Sequence, residues 1–336
     1  MSKKAAIVVL VILTIAIIAV GVYWFVTSQR QQYDEVLELT LGAESSLLTA
    51  AVWVAEERGY FEDAGLDIAI EEFDSGRLSF LDMLEGGVNI STVAPTPIMF
   101  QSFERDDFQI FSTFVYSDDD LKVIARGGNG ISDIKDLVGK KIGTPSGTTG
   151  QFFLAAFLTY GGLRESDVQV IDLNPSELPG ALASGQVDAI VIWEPYAYNA
   201  EQLLGNAAIQ LPSSEVYRET FNFMAMDSFA EANPEALERF IIAIDKATEF
   251  IQDNKENAQE IVAEHLGLDS TVTAALWDDF VFDISLSQSL VITLEDEAMW
   301  AVENSLVDQK QIPNYLDYIY FGALDAVSPG SITIIR

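Results

Sequence analysis

Val36-Leu37-Glu38-Leu39-Thr40-Leu41 alternates apolar and polar side chains, and Leu47, Leu48, Ala51, Val52, Val54 and Ala55 then recur at helical spacing before Gly59. A period of two marks a half-buried strand and a period near 3.6 a helix. The stretch therefore predicts a strand over 36–41 and a helix over 47–58 that stops at Gly59. Leu66 to Glu72 predicts a second strand, Leu78 to Leu84 a helix, and Val88 to Val93 a third strand. This βαβαβ order implies a largely parallel sheet covered by helices.

The same alternation restarts after Asp118-Asp119-Asp120. Strands are predicted at 121–125, 141–143, 168–172 and 189–193, with helices at 134–137, 149–160 and 178–184 and another beginning at Pro195. From Pro234 the pattern turns helical over 234–253, 255–266, 272–280 and 294–306. Asn233-Pro234 is a suitable start, because proline at the first helical position gives up an N–H that has no helical partner there. The expected architecture is α/β, with a first lobe from residues 33–120 and 223–336 and a second lobe from residues 121–222.

Toward the N-terminus, Ser2-Lys3-Lys4 precede an uncharged apolar run from Ala5 to Val26 that closes on Tyr23-Trp24-Phe25. About 20 apolar residues span a bilayer as a helix. A cleavable signal has an apolar region of only about 7 to 15 residues followed by a small-residue site, whereas Ala19-Val20-Gly21 lies inside the run. Residues 1–32 are therefore expected to be a single-pass membrane anchor. The paired lysines favour a cytoplasmic N-terminus, which puts the rest of the chain outside the cytoplasm.

Composition narrows the function. The 336 residues are 49% hydrophobic, enough for roughly two domains of about 150 residues each. No cysteine is present, which excludes disulfides, thiolate catalysis and Cys-ligated zinc. With 52 acidic against 18 basic residues, the formal charge of -34 argues against nucleic acid, whose phosphates require cations. Such a surface suits high salt, where self-repulsion is screened. One histidine and no cysteine leave little for catalysis, so no enzyme activity and no cofactor are expected.

Several stretches resemble the substrate-binding proteins of ABC importers for nitrate, sulfonates, taurine and thiamine-pyrimidine precursors. They are Val54-Ala55-Glu56-Glu57-Arg58-Gly59-Tyr60-Phe61, Gly65-Leu66-Asp67, Phe73-Asp74-Ser75-Gly76, residues 136–143, residues 184–189 and Trp193-Glu194-Pro195-Tyr196. Asn233-Pro234-Glu235 and residues 318–329 also look similar. The resemblance implies a type II periplasmic-binding-protein fold: two αβ lobes, crossovers near 121–126 and 223–226, and a cleft that closes on its ligand. It further implies an extracytoplasmic protein that captures a small polar or anionic solute, such as a sulfonate, taurine or nitrate, and delivers it to a permease with its ATPase. A thiamine-pyrimidine precursor is the alternative ligand, and a pyrimidine-forming enzyme of this fold the alternative activity.

Ligands of open αβ sheets gather where strand ends run into helices. Ser146-Gly147-Thr148-Thr149-Gly150 opens a helix, where free N–H groups favour anions; these hydroxyls either contact ligand or cap the helix. It is not a nucleotide P-loop, because the required lysine is absent. Ser45 and Ser46 occupy a similar turn, and Thr92, Pro95 and Thr96 end the third strand. Trp193 can wall in a ligand and Glu194 can accept from an amine; if Glu194 faces the cleft, a zwitterion suits better than a bare anion. Arg77 is the nearest cation, and Asn222, between Phe221 and Phe223, is a further candidate. His265 lies near a helix end, where an imidazole has a plain structural role.

Overall fold

A computed structural model describes residues 33, 35–213 and 216–335. The expected anchor, residues 1–32, lies outside them. Among the described residues no helix is long and apolar enough to cross a membrane.

Two sheets organise the chain. In the first, β1 (Leu37–Glu44), β2 (Leu66–Phe73), β3 (Ile90–Val93), β4 (Phe108–Ser117), β10 (Glu219–Met226) and β11 (Phe280–Ser285) stand in the order β11-β4-β10-β3-β1-β2. In the second, β5 (Lys122–Arg126), β6 (Lys141–Thr144), β7 (Gln169–Asp172), β8 (Ala189–Ile192) and β9 (Ala208–Leu211) stand in the order β7-β6-β8-β5-β9. The parallel pairs expected from βαβ units form between β1 and both β2 and β3, and between β6 and both β7 and β8. The remaining pairs, made by β10, β4, β11, β5 and β9, are antiparallel, so each sheet is mixed instead of largely parallel.

Helices at Thr149–Tyr160, Leu178–Ser184, Pro234–Asp253 and Lys255–Leu266 occupy the expected ranges. The helix Pro234–Asp253 buries Leu237, Phe240, Ile241, Ile244 and Ile251, one stripe at helical spacing. Three elements depart from expectation. Pro95, expected at the end of the third strand, opens the helix Pro95–Ser102. Phe108–Ser117 is a strand buried on both faces, so its run lacks the alternation that reveals a half-exposed strand. The helix predicted over 272–280 ends at Leu276, and Phe280 instead opens β11, unpredicted beyond that residue, whose burial alternates from Phe280 to Ile284.

The chain passes to the second sheet between Ser117 and Lys122 and returns between Leu211 and Glu219. All of β10 thus pairs in the first sheet, and the expected crossover at 223–226 lies inside a strand. Residues 219–222, assigned to the second lobe by sequence, belong to the first. The two passages are tied together, because Arg218 donates twice to Asp118, at 2.7 and 2.8 Å.

Each lobe has its own core. In the first, Phe223 stacks on Phe114 at 3.9 Å and meets Phe240 edge-on at 4.8 Å, joining the sheet to the helix Pro234–Asp253. In the second, Val123, Ile124, Ile142, Ile190 and Val191 pack with Phe153, Phe157 and Leu158 of the helix Thr149–Tyr160. Because neither core spans the molecule, the surface between them is free to hold a ligand.

Candidate functional site

A cavity lies between the lobes. The first lobe contributes Glu44 from the end of β1, Gly76 and Arg77 from the start of the helix Gly76–Glu85, and Glu219 from the start of β10. The second contributes Thr148 and Thr149 from a helix start and Trp193 from beyond β8. Strand ends from both lobes converge here, as the rule for open αβ sheets requires.

Local geometry fixes these groups. Thr148 is the N-cap of the helix Thr149–Tyr160, and its hydroxyl donates to Pro145 O at 2.7 Å. Gly147 holds φ at +71°, and a Cβ there would come within 3.1 Å of Arg77 Nε, so the bare backbone lets the first lobe's cation approach. At Gly76 a Cβ would sit 2.8 Å from the Phe221 ring and 2.9 Å from Thr92 O. Its N–H donates to Glu44 Oε2 at 2.5 Å.

The electrostatics are unusual for a presumed anion site. Glu44 and Glu219 are each only 3% exposed, and Asp120, beside Glu219, is 1% exposed. Burial pushes Glu44 up to about 7, although the Gly76 N–H and the nearby Ser46 hydroxyl pull it back. Burial also raises Glu219 and Asp120; the neighbouring Asp120 carboxyl raises Glu219 further, while the hydrogen bond with Glu219 offsets part of the rise at Asp120. Glu44 Oε1, Glu219 Oε2 and Trp193 Nε1 are buried without a hydrogen-bond partner. The nearby cation Lys122 is taken by Asp119 at 2.7 Å and Asp279 at 3.3 Å. Arg77 makes no ion pair among the described residues.

Of the residues singled out by sequence, Arg77, Thr148, Thr149 and Trp193 come together on this cavity. The others do not line it. The Ser45 hydroxyl donates to Glu72 at 2.6 Å, and the Ser146 backbone N–H donates to Asp172 at 2.8 Å. Ser46 is buried behind Glu44, and Thr92 accepts the Glu44 N–H at 3.1 Å, so both support that residue. Pro95 starts its helix, leaving Ala94 and Pro97 at the wall, and Thr96 sits against the buried Glu297 carboxyl. Glu194 accepts the Tyr198 N–H at 2.9 Å as a helix-start charge, and burial pushes it up to about 8. Asn222 links three strands: it accepts from Thr113 at 2.7 Å and donates to Val93 O at 3.2 Å.

Sequence reading missed Glu44 and Glu219. Glu44 was hidden because the alternation of β1 fades at Leu41, whereas the strand runs on to Glu44; an acid closing an apolar strand was the available signal. Glu219 was hidden because the return passage was placed too late.

Two lobes joined by two passages around one shared cavity define a two-lobed binding-protein architecture. The chain belongs to the NMT1/THI5-like family, whose model matches residues 48–258. It is 30% identical to a protein of Brucella abortus (strain 2308) named "Putative binding protein", over 66% of this chain and 69% of that one. It is 27% identical to the "Putative aliphatic sulfonates-binding protein" of Bacillus subtilis (strain 168), over 83% and 85% of the two chains. Among solved structures, the alkanesulfonate-binding protein SsuA from Xanthomonas axonopodis pv. citri bound to MOPS superimposes with a TM-score of 0.75 at 19% identity, over 86% of this chain and all of that one (100%). The fold is thus the α/β periplasmic-binding-protein fold expected from the sequence. The desulfurization enzyme DSZB shares it with a TM-score of 0.62 at 15% identity, so fold alone does not separate carrier from catalyst.

Proposed function

We propose that this protein is the extracytoplasmic solute-binding component of an ABC importer, which captures a small polar organic solute between its lobes and delivers it to a permease with its ATPase. The observation that carries this reading is a cavity walled by both lobes, with Arg77 on one side and Thr148 and Trp193 on the other. Binding energy divided between two lobes favours their closure, and closure is the signal a permease can read. The names of the relatives favour a sulfonate-like ligand, and Arg77 with the free Trp193 N–H offers donors to one. His265, the one histidine, stacks on Trp53 at 3.9 Å in a separate surface groove, which supports a carrier over a catalyst.

The apolar run from Ala5 to Val26 is read as a single-pass anchor that keeps the binding lobes outside the membrane, close to the permease. The test is thermal unfolding of the full-length protein in detergent against a panel of small sulfonates, amines and nitrate. A ligand that binds only the folded state raises Tm, and small-angle scattering should show the lobes drawing together. A panel with no effect on either measurement refutes the reading.

A further inference from the structure

Glu44 and Glu219 pose a physical problem in this cavity. Both carboxyls are nearly fully buried, each has an oxygen without a partner, and Asp120 stands next to Glu219. The nearest buried ammonium, Lys122, is occupied by Asp119 and Asp279. A buried, uncompensated carboxylate is costly unless a cation or hydrogen-bond donors are supplied. The Gly76 N–H donates to Glu44 Oε2, and Glu219 has hydrogen-bonding contact with Thr149 and Asp120, but no cation among the described residues pairs with either carboxyl, and among those residues no group of metal-ligating side chains is arranged to hold an ion. Donors also line the cavity: the unpartnered Trp193 Nε1 from the second lobe and, from the first, the guanidinium of Arg77, which makes no ion pair among the described residues and reaches toward Gly147.

We propose that Glu44 and Glu219 form an ammonium-binding subsite of the interlobe cavity, so that the solute carried bears an amine or amidine at one end and a hydrogen-bond acceptor or anion at the other. This rests on the solute-binding function proposed above and specifies its substrate class. An ammonium seated between the two carboxyls provides donors for both orphaned oxygens, and its charge lets the carboxyls ionise inside the protein. The other end of the solute reaches Arg77 and the indole N–H. A bare alkanesulfonate or nitrate satisfies only the donor side and leaves the acid side unmatched, and its own charge is repelled by any carboxylate that ionises.

Matched probe pairs test this by calorimetry on the full-length protein: 2-aminoethanesulfonate against ethanesulfonate, 3-aminopropanoate against propanoate, and 4-aminopyrimidine against pyrimidine. The expected result is that an amine-bearing member binds at least about tenfold tighter than its partner, and that Glu44→Gln and Glu219→Gln each remove that preference. Equal or tighter binding of the amine-free member overturns the subsite and leaves the solute-binding function standing. A preference that survives both substitutions also overturns it. Binding by neither series overturns both. The wild-type comparison decides the matter even if a variant fails to fold.

Discussion

Trp300, on the helix Gln288–Glu303 of the first lobe, donates its indole N–H to Glu165 Oε1 of the second lobe at 3.0 Å. The same ring packs edge-on against Phe152 at 5.3 Å, and Phe152 meets Tyr217 at 5.4 Å. These contacts join the lobes outside the cavity and involve no part of its lining.

Glu165→Ala should therefore weaken solute binding without touching the solute. The expected effect is a loss of a few-fold in affinity, corresponding to about 1 kcal/mol of closed-state stabilisation, and seen chiefly as faster release. Stopped-flow release rates check it; an unchanged rate would show that the contact plays no part in closure.

Trp193 is 5% exposed and also packs in the second-lobe core, so truncation to alanine removes packing as well as the indole N–H. Trp193→Phe separates the two roles. It should lower solute affinity by about tenfold while Tm falls only slightly, measured by calorimetry and by thermal unfolding in parallel. Unaltered affinity would remove Trp193 from the binding wall.

Glu44 is pushed up to about 7, and Glu194 and Glu297 to about 8, in each case chiefly by burial. In the unfolded chain these groups ionise near 4.5. Between those values the folded protein holds protons that the unfolded chain has released, so stability falls as pH rises through the window and levels off above it. The solute-free protein should melt at progressively lower temperature from about pH 5 to about pH 8. Glu297→Gln should flatten the slope, and a Tm that climbs over this range would contradict the burial of these carboxyls.

Asn222 is a joint between strands. Asn222→Ala removes its bonds to Thr113 and Val93 O in a fully buried position. A loss of about 1 to 3 kcal/mol in denaturant unfolding is expected. A neutral result would mean that water takes over both partners.

With a formal charge of -34, self-repulsion should be relieved by added salt. Tm is expected to rise across a salt series at fixed pH, and a flat series would dismiss adaptation to high salt.

Much of this molecule could be read from its residues alone. Periodicity located the helices Thr149–Tyr160, Pro234–Asp253 and Lys255–Leu266 and the parallel strands, because an element with one buried face records that face as a repeat. The helix start at Thr148 and the strand end at Trp193 were legible as cavity-lining positions because a strand-to-helix turn places its side chains at the sheet's edge. The acid excess, the absence of cysteine and the apolar N-terminal run are composition, and needed no fold.

Tertiary structure alone decided the rest. Phe108–Ser117 carries no alternation because both of its faces are covered, and Glu219–Met226 is assigned to the first lobe only by the strands that flank it. For the same reason Ser45, Ser146 and Glu194 do not line the cavity while Glu44 and Glu219 do. A carboxyl's role depends on whether water or another chain segment surrounds it, and residues far apart in sequence supply that surrounding: Gly76 lies against Glu44 and Asp120 against Glu219. Local sequence fixes what a side chain can do; the distant segments packed around it fix whether it is dry, charged and facing a partner.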